Sequence, residues 1–298
     1  MKRRIWYTRR ARPRAFKLFL CGDVMTGRGI DQIMPRSVHP RLYEPYITDA
    51  RDYVRLAEDA HGPIQRPVEA DYVWGDALYE LARLEPDVRI INLETAITER
   101  GDPWSGKGIH YRMHPGNVNL LTAAQIDGCV LANNHVLDWG VAGLLETLAT
   151  LDAAGIRRAG AGRNLEESIA PAVLPVPGKG RVLVFSCGSE SSGIGRRWEA
   201  TDHQPGVHLL PDLSMDSVVT LARQIRRVKR AGDIVVLSIH WGGNWDYSIP
   251  HVQREFAHAL VDRAGVDVIH GHSSHHVKGV EVYNGRLILY GCGDLLSD

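Results

Sequence analysis

Seven apolar runs of strand length recur along this chain, and each is hydrophobic at consecutive positions rather than at alternate ones. They are FKLFLCGD (16–23), VRIINLE (88–94), CVLANNH (129–135), RVLVFSCG (181–188), DIVVLSIHWG (233–242), VDVIHGH (266–272) and GRLILYGCGD (285–294). A strand without polar alternation must be covered on both faces, which is the condition met in parallel sheets flanked by helices. Helix-like stretches separate the runs, so the pattern predicts an α/β fold.

Those stretches have the required stripes. VAGLLETLATLDAAG aligns Leu144, Leu145, Leu148 and Leu151 and ends at Gly155, a residue suited to a C-terminal cap. QREFAHALVDRAG aligns Phe256, Ala257, Leu260 and Val261 before Gly265, and LARQIRRVKRAG packs Leu221, Ile225 and Val228 beneath a basic, solvated face. Residues 36–86 break the rhythm: they are aromatic, charged and proline-rich, and predict one or two helices without a strand. An insertion of that length is either a lid over a site or ordinary packing. The expected organisation is a basic N-terminal arm over 1–15 and a single domain over 16–298, with 36–86 as its lid-like insertion.

Composition narrows the function. Hydrophobic residues make up 44% of the 298, ample for a sizeable core. Thirty-five basic residues balance 35 acidic ones, so global charge gives no basis for a nucleic-acid partner or an anionic membrane. The first 17 residues carry eight Lys or Arg and no acid; they form either a solvated arm or a contact with an anionic polymer or another subunit. No apolar signal region follows, and no run approaches the ~20 residues of a membrane span. A cytoplasmic chain without a transmembrane segment is expected. Cysteines at 21, 129, 187 and 292 are too scattered for a disulfide framework or a CxxC metal site and read as small buried hydrophobes.

Five runs end in residues of metal-ligand type: Asp23, Glu94, Asn134 with His135, His240, and His272 with His275 just beyond. In an open parallel sheet, ligands bind beyond the carboxyl ends of the strands, so residues distant in sequence meet there. One histidine at a strand end is more often a structural group, and one Asp or Asn a cap or turn residue. Two carboxylates, an amide oxygen and several imidazoles together form a mixed set that suits one or two divalent ions of Mn, Fe or Zn.

The blocks GDVMTGR, NLETAIT, LANNHVLDWG, SIHWG and GHSSHHVKGVEVYNGRLILYGCGD resemble, in order, those of the CapA or poly-γ-glutamate capsule biosynthesis family of calcineurin-like metallophosphoesterases. The resemblance runs from about residue 16 onward. It implies a two-sheet sandwich flanked by helices in α-β-β-α layers, with a two-metal site at the strand ends. Asp23 and His275 would serve a first metal, Asn134, His240 and His272 a second, and Glu94 would bridge both where most of the superfamily has Asp. His135 would act as the acid beside them. Asp138, three residues on, either orients that imidazole or caps the helix that follows. The superfamily's Asp-x-His block departs here, with Met25 two residues after Asp23. A thioether is a poor ligand for these ions, which leaves the first centre weak, completed by water, or empty.

Binding an anion needs further donors. Arg28 follows the first run, and HYRMHP offers His110, Arg112 and His114. Arg112 is the preferred clamp because its planar fork suits phosphate and carboxylate alike; a surface salt bridge is the alternative. Trp241, Trp245 and Tyr247 either line the pocket or pack. WSGKG (104–108) lacks the spacing of a phosphate-binding loop, and SCGSESSGIG lacks the Gly-x-Ser-x-Gly of a serine hydrolase. The expected function is a metal-dependent hydrolase of CapA type, acting on a phosphoester or related bond in an anionic small molecule or polymer. It would serve in making or processing poly-γ-glutamate or a similar capsule polymer. The alternative is a non-catalytic capsule-assembly partner with at most one metal. The chain ends four residues after GCGD, earlier than family members usually end, so a truncated C terminus is expected.

Overall fold

Each apolar run supplies a strand in the computed structural model, which describes residues 15–298. The basic arm expected over 1–15 lies, but for Ala15, outside the described residues. The twelve strands that matter here are β1 (Leu18–Val24), β2 (Val88–Leu93), β3 (Gly128–Val130), β4 (Arg157–Ala159), β5 (Ala172–Val176), β6 (Gly180–Ser189), β7 (Leu209–Leu210), β8 (Ile234–His240), β9 (Val268–His272), β10 (Val280–Tyr283), β11 (Arg286–Leu289) and β12 (Asp294–Leu296). One sheet has the order β12-β1-β2-β3-β4 and is parallel throughout. The other has the order β7-β6-β8-β9-β11-β10, with β5 also on β6; only the β10 and β5 pairings are antiparallel. The architecture is α/β, as the run pattern predicts.

Period-two alternation within the runs explains how the sheets are covered. Ile90 of β2 and Val236 of β8 belong to a buried cluster that joins the two sheets, with Val130, Leu174, Val182 and Val184. Their neighbours Ile91, Val235 and Leu237 face helices instead. On the first sheet that is chiefly the helix Gly140–Ala153, through Leu144, Leu148 and Leu151. On the second they are the helix Met215–Val228, through Val218, Leu221 and Ile225, and the helix His251–Ala259 with its π-helical continuation Leu260–Ala264. Residues 36–86 hold two α-helices, Arg51–His61 and Asp76–Leu84, and contribute Val54, Val68, Trp74 and Leu81 to the cluster beside the first sheet.

The seventh run does more than its pattern predicts. Its first half is β11 of the second sheet, and its last residue, Asp294, opens β12 on the edge of the first. The chain therefore crosses between sheets at Tyr290–Gly293. The crossing is tight: a Cβ on Gly22 of β1 would stand 1.7 Å from the Gly293 carbonyl oxygen, so only glycine fits. Cys21, Cys129 and Cys187 are buried, Cys292 is half-buried, and all four are free thiols. Among the described residues no helix is long and apolar enough to cross a membrane.

Buried His208 sets an acid limit on this fold. Its Nδ1 lies 3.0 Å from the Ser186 carbonyl oxygen, and burial pushes its pKa down to about 4. The unfolded chain titrates nearer the ordinary 6.5 and so binds the proton first. Stability present above that value must fall as the pH drops towards the folded pKa. Urea unfolding between about pH 7.5 and 5 should show this decline. His208→Gln should flatten it by on the order of 1 kcal/mol per pH unit; an equally steep decline in the variant would refute the assignment.

Candidate metal centre

The polar ends of the apolar runs meet where both sheets end. Asp23 is the penultimate residue of β1, Glu94 follows β2, and Asn134 lies in the turn after β3, while His240 and His272 are the last residues of β8 and β9. His240 joins them. Its Nε2 is 3.0 Å from Asn134 Oδ1 and 3.6 Å from Glu94 Oε1, and its Nδ1 is 2.6 Å from His272 Nδ1. Ligand atoms of Asp23, His240 and His272 all lie within 4.8 Å of one another, on buried side chains. A second group of the same kind contains Asp23, His275 and Asp294, with His275 Nδ1 2.9 Å from Asp294 Oδ1. All six residues expected at the metals therefore reach one edge.

Two further residues of this cluster escaped the sequence reading. Asn92 donates its amide to Asp23 Oδ1 at 2.7 Å and to Glu94 Oε2 at 2.6 Å, fixing the two carboxylates relative to each other. Asp294 is the register partner of Asp23 across β1 and β12. It had a signal: the seventh run closes on Gly-Asp, as the first does. Asn92 had one as well, an amide inside the apolar run VRIINLE, where it is costly unless paired.

The electrostatics are those of a site short of positive charge. Burial raises Asp23 to about 7, and burial with the neighbouring Asp23 raises Glu94 well above the carboxylate range. Burial drives His240 and His272 well below the usual imidazole range. Among the described residues Asp23 Oδ2 is buried without a hydrogen-bond partner, a cost of roughly 1–3 kcal/mol for a polar atom and more for a charged one. A bound cation would bring the carboxylates back down, take the neutral imidazoles as they stand and give Asp23 Oδ2 a partner. Carboxylate and imidazole donors of this mixture fit a divalent Mn, Fe or Zn ion. Met25 is buried two residues beyond Asp23 and contributes no nitrogen or oxygen.

The Asn-Asn-His turn explains why β3 stops at Val130, short of the expected run. Asn133 Nδ2 donates to Asn92 Oδ1 (3.0 Å) and to the Leu93 carbonyl (2.8 Å), while its Oδ1 accepts from the amides of His135 (3.1 Å) and Val136 (3.0 Å). A side chain that satisfies backbone groups in this way competes with the ladder and bends the chain out of it. The bend delivers His135, buried, with Nδ1 2.6 Å from Asp138 Oδ2 and its ring edge-on to Tyr111. Asp138 also accepts from the Tyr111 amide at 2.7 Å and from Lys107 Nζ. It does not cap the helix Gly140–Ala153, whose N-cap is Trp139; of the two roles open to it, the contacts are those of orientation. Burial lowers His135 to about 4, against the opposing pull of Asp138, so the ring is neutral near pH 7. Lys107 also contacts the Asn134 carbonyl and was passed over because WSGKG fails as a phosphate-binding loop.

The expected anion donors are placed less favourably. Arg28 is buried, its guanidinium bound to Asp298 at 2.6 Å, Glu44 at 3.0 Å and Tyr53 at 2.9 Å, so it ties the fold together rather than offering a clamp. Trp241 is a core residue, with Nε1 bonded to the Tyr290 carbonyl at 3.0 Å and its ring stacked on Tyr290. His110 is buried with Nε2 3.0 Å from the Trp104 carbonyl. Arg112 is half-buried, stacked 3.6 Å over Trp139, and forms no ion pair among the described residues.

A family model described as bacterial capsule synthesis protein PGA_cap matches residues 17–298. The "probable polyglutamine synthesis accessory protein" of Mycobacterium tuberculosis is 47% identical over 287 residues, covering 96% of this chain and 75% of that protein. The "capsule biosynthesis protein CapA" of Bacillus anthracis is 32% identical over 286 residues, 94% of this chain and 59% of its own length. The "PGA biosynthesis protein CapA" of Bacillus subtilis is 28% identical over 279 residues, with shares of 93% and 62%.

Asn133 should matter through its bonds alone. Asn133→Ala strands the Leu93 carbonyl and two backbone amides, and should lower unfolding free energy by roughly 2–4 kcal/mol in urea titrations. A loss within about 0.5 kcal/mol, the size typical of a surface change, would show that the turn does not depend on it.

Proposed function

Because the chain belongs to the bacterial capsule synthesis protein family PGA_cap, we propose that it is a divalent-metal-dependent hydrolase of the calcineurin-like metallophosphoesterase type. It cleaves a phosphoester or related bond in the making or processing of poly-γ-glutamate or a similar anionic polymer. The observation that carries this reading is the partnerless Asp23 Oδ2, buried where Glu94, His240 and His272 converge.

Glu94, Asn134, His240 and His272 would hold one ion, and Asp23, His275 and Asp294 a second. When bound, such an ion supplies Lewis-acid stabilisation of a phosphoryl or carbonyl oxygen and lowers the pKa of water. The remaining work falls to the protein. Asp138 takes the hydrogen bond at His135 Nδ1, which leaves Nε2 as the atom that moves a proton. A neutral ring takes that proton from the attacking water and gives it to the leaving oxygen. Lys107 and the Tyr111 amide hold Asp138 in place. Arg112, without a carboxylate partner, remains the cation available to an anionic substrate. The segment 36–86, packed on the core through Trp74 and Leu81, serves as a fixed wall.

One observation favours a second reading, a non-catalytic assembly partner with a single structural metal. A buried Met25 stands where the superfamily's block has histidine. The two readings separate cleanly. Purified protein loaded with manganese should hydrolyse a member of a panel of phosphomonoesters and phosphodiesters. His135→Ala should cut that turnover by ~10²-fold or more with metal content unchanged. Asp23→Ala should lower metal content itself. Metal-replete protein inert on the whole panel, with His135→Ala indistinguishable in every assay, would favour the partner.

A further inference from the structure

Behind His272 lies a short hydrogen-bonded chain that the site does not account for. His270 Nε2 is 2.6 Å from the Cys21 carbonyl oxygen, and His270 Nδ1 is 3.1 Å from Ser238 Oγ. The same Oγ is 2.8 Å from His272 Nε2. His270, His272 and Ser238 are all completely buried. The chain spans both sheets: Cys21 is on β1, Ser238 on β8, and the two histidines on β9.

The protons on this chain can be placed one by one. A carbonyl oxygen only accepts, so His270 Nε2 carries hydrogen. His270 is buried and no carboxylate contacts it in a salt bridge or hydrogen bond among the described residues; a charged imidazolium there would lack compensation. The ring is therefore neutral and its Nδ1 is a bare acceptor. Ser238 has one hydroxyl hydrogen and spends it on that acceptor. Its oxygen can then only accept from His272, so His272 Nε2 carries hydrogen and His272 Nδ1 is bare. That Nδ1 is the atom facing His240 Nδ1 at 2.6 Å.

We infer that His270 and Ser238 are positioning residues, which lock His272 into its Nε2–H tautomer so that Nδ1 is the nitrogen presented to a divalent cation. The direction of the chain is set at its far end by the Cys21 carbonyl. The register of β1 against β2 slips by one residue between Cys21 and Asp23, so one irregularity serves two ends. It falls between Cys21, whose carbonyl orients His270, and Asp23, which stands among the ligand atoms. Partners of this kind typically change metal affinity by about 10–100-fold when removed.

The inference rests on the reading that His272 faces a cation and needs no hydrolytic activity. Two-bond proton–nitrogen correlation spectra of histidine-labelled full-length protein, without metal and with zinc, report the tautomer directly. His272→Gln identifies the His272 signals by their loss. The expected result is an Nε2–H tautomer in metal-free protein, with zinc then moving Nδ1. Zinc titration of Ser238→Ala should show affinity weakened by about 10–100-fold. His270→Gln keeps an amide donor for the Cys21 carbonyl and an oxygen acceptor for Ser238, and should lose much less than His270→Phe. An Nδ1–H tautomer in the metal-free wild type, coordination through Nε2, or unchanged zinc affinity in Ser238→Ala would each overturn it. Zinc failing to bind while the Nε2–H tautomer is observed would count against the metal reading and leave the proton order standing.

Discussion

The contact between His240 and Asn134 joins two sheets at the edge where both run out of strand. Each sheet alone would end in solvated polar residues. Brought together over their shared apolar cluster, they bury Asp23, Glu94, His240 and His272 in one place. Burial of ionisable groups costs stability unless they satisfy one another. Much of the local architecture answers that constraint. Asn92 spans two carboxylates, Asn133 turns the chain, and Ser238 and His270 carry hydrogen bonds back to β1. Within that buried group of four, Asp23 Oδ2 is left without a hydrogen-bond partner among the described residues.

Much of this was legible in the sequence. Consecutive apolar residues showed which runs are covered on both faces, and the residue types closing those runs marked the shared edge. The dodecapeptide CVLANNHVLDWG was informative because its three polar residues are so costly in an apolar setting. Its structure divides them: Asn133 braces the backbone, Asn134 turns to His240, and His135 turns to Asp138. Strand length was less legible, since an asparagine that satisfies nearby backbone groups ends a ladder that apolar pattern alone would extend.

The misplacements share a physical cause. Arg28 looked free because its main partner, Asp298, lies 270 residues away and is joined to it only by folding. Trp241 follows His240, and in a strand the next residue points to the opposite face; that face is the core beneath the helix His251–Ala259. Lys107 and Asp294 sit in stretches scanned for other motifs. Long-range pairing and facing direction are what a linear reading lacks, whereas periodicity and the chemistry of strand ends are local.

Charge counting gives the proposed site a further logic. Asn134 and the imidazoles add polar atoms without charge, so the carboxylates of Asp23, Glu94 and Asp294 set the balance. With one divalent cation bound, three carboxylates would leave the cluster with an excess negative charge, and an anionic substrate would be repelled at close range. With two, the excess would be positive, and the same substrate would be drawn in. His275 and Asp294 then matter as much as His240 and Asn134, although they are more exposed. Occupancy of that outer group would decide whether the edge only holds the two sheets together or also accepts an anion. An aspartate in place of Asn134 would bring the two-ion sum to zero and remove that attraction, which gives a physical reason for an amide at that position.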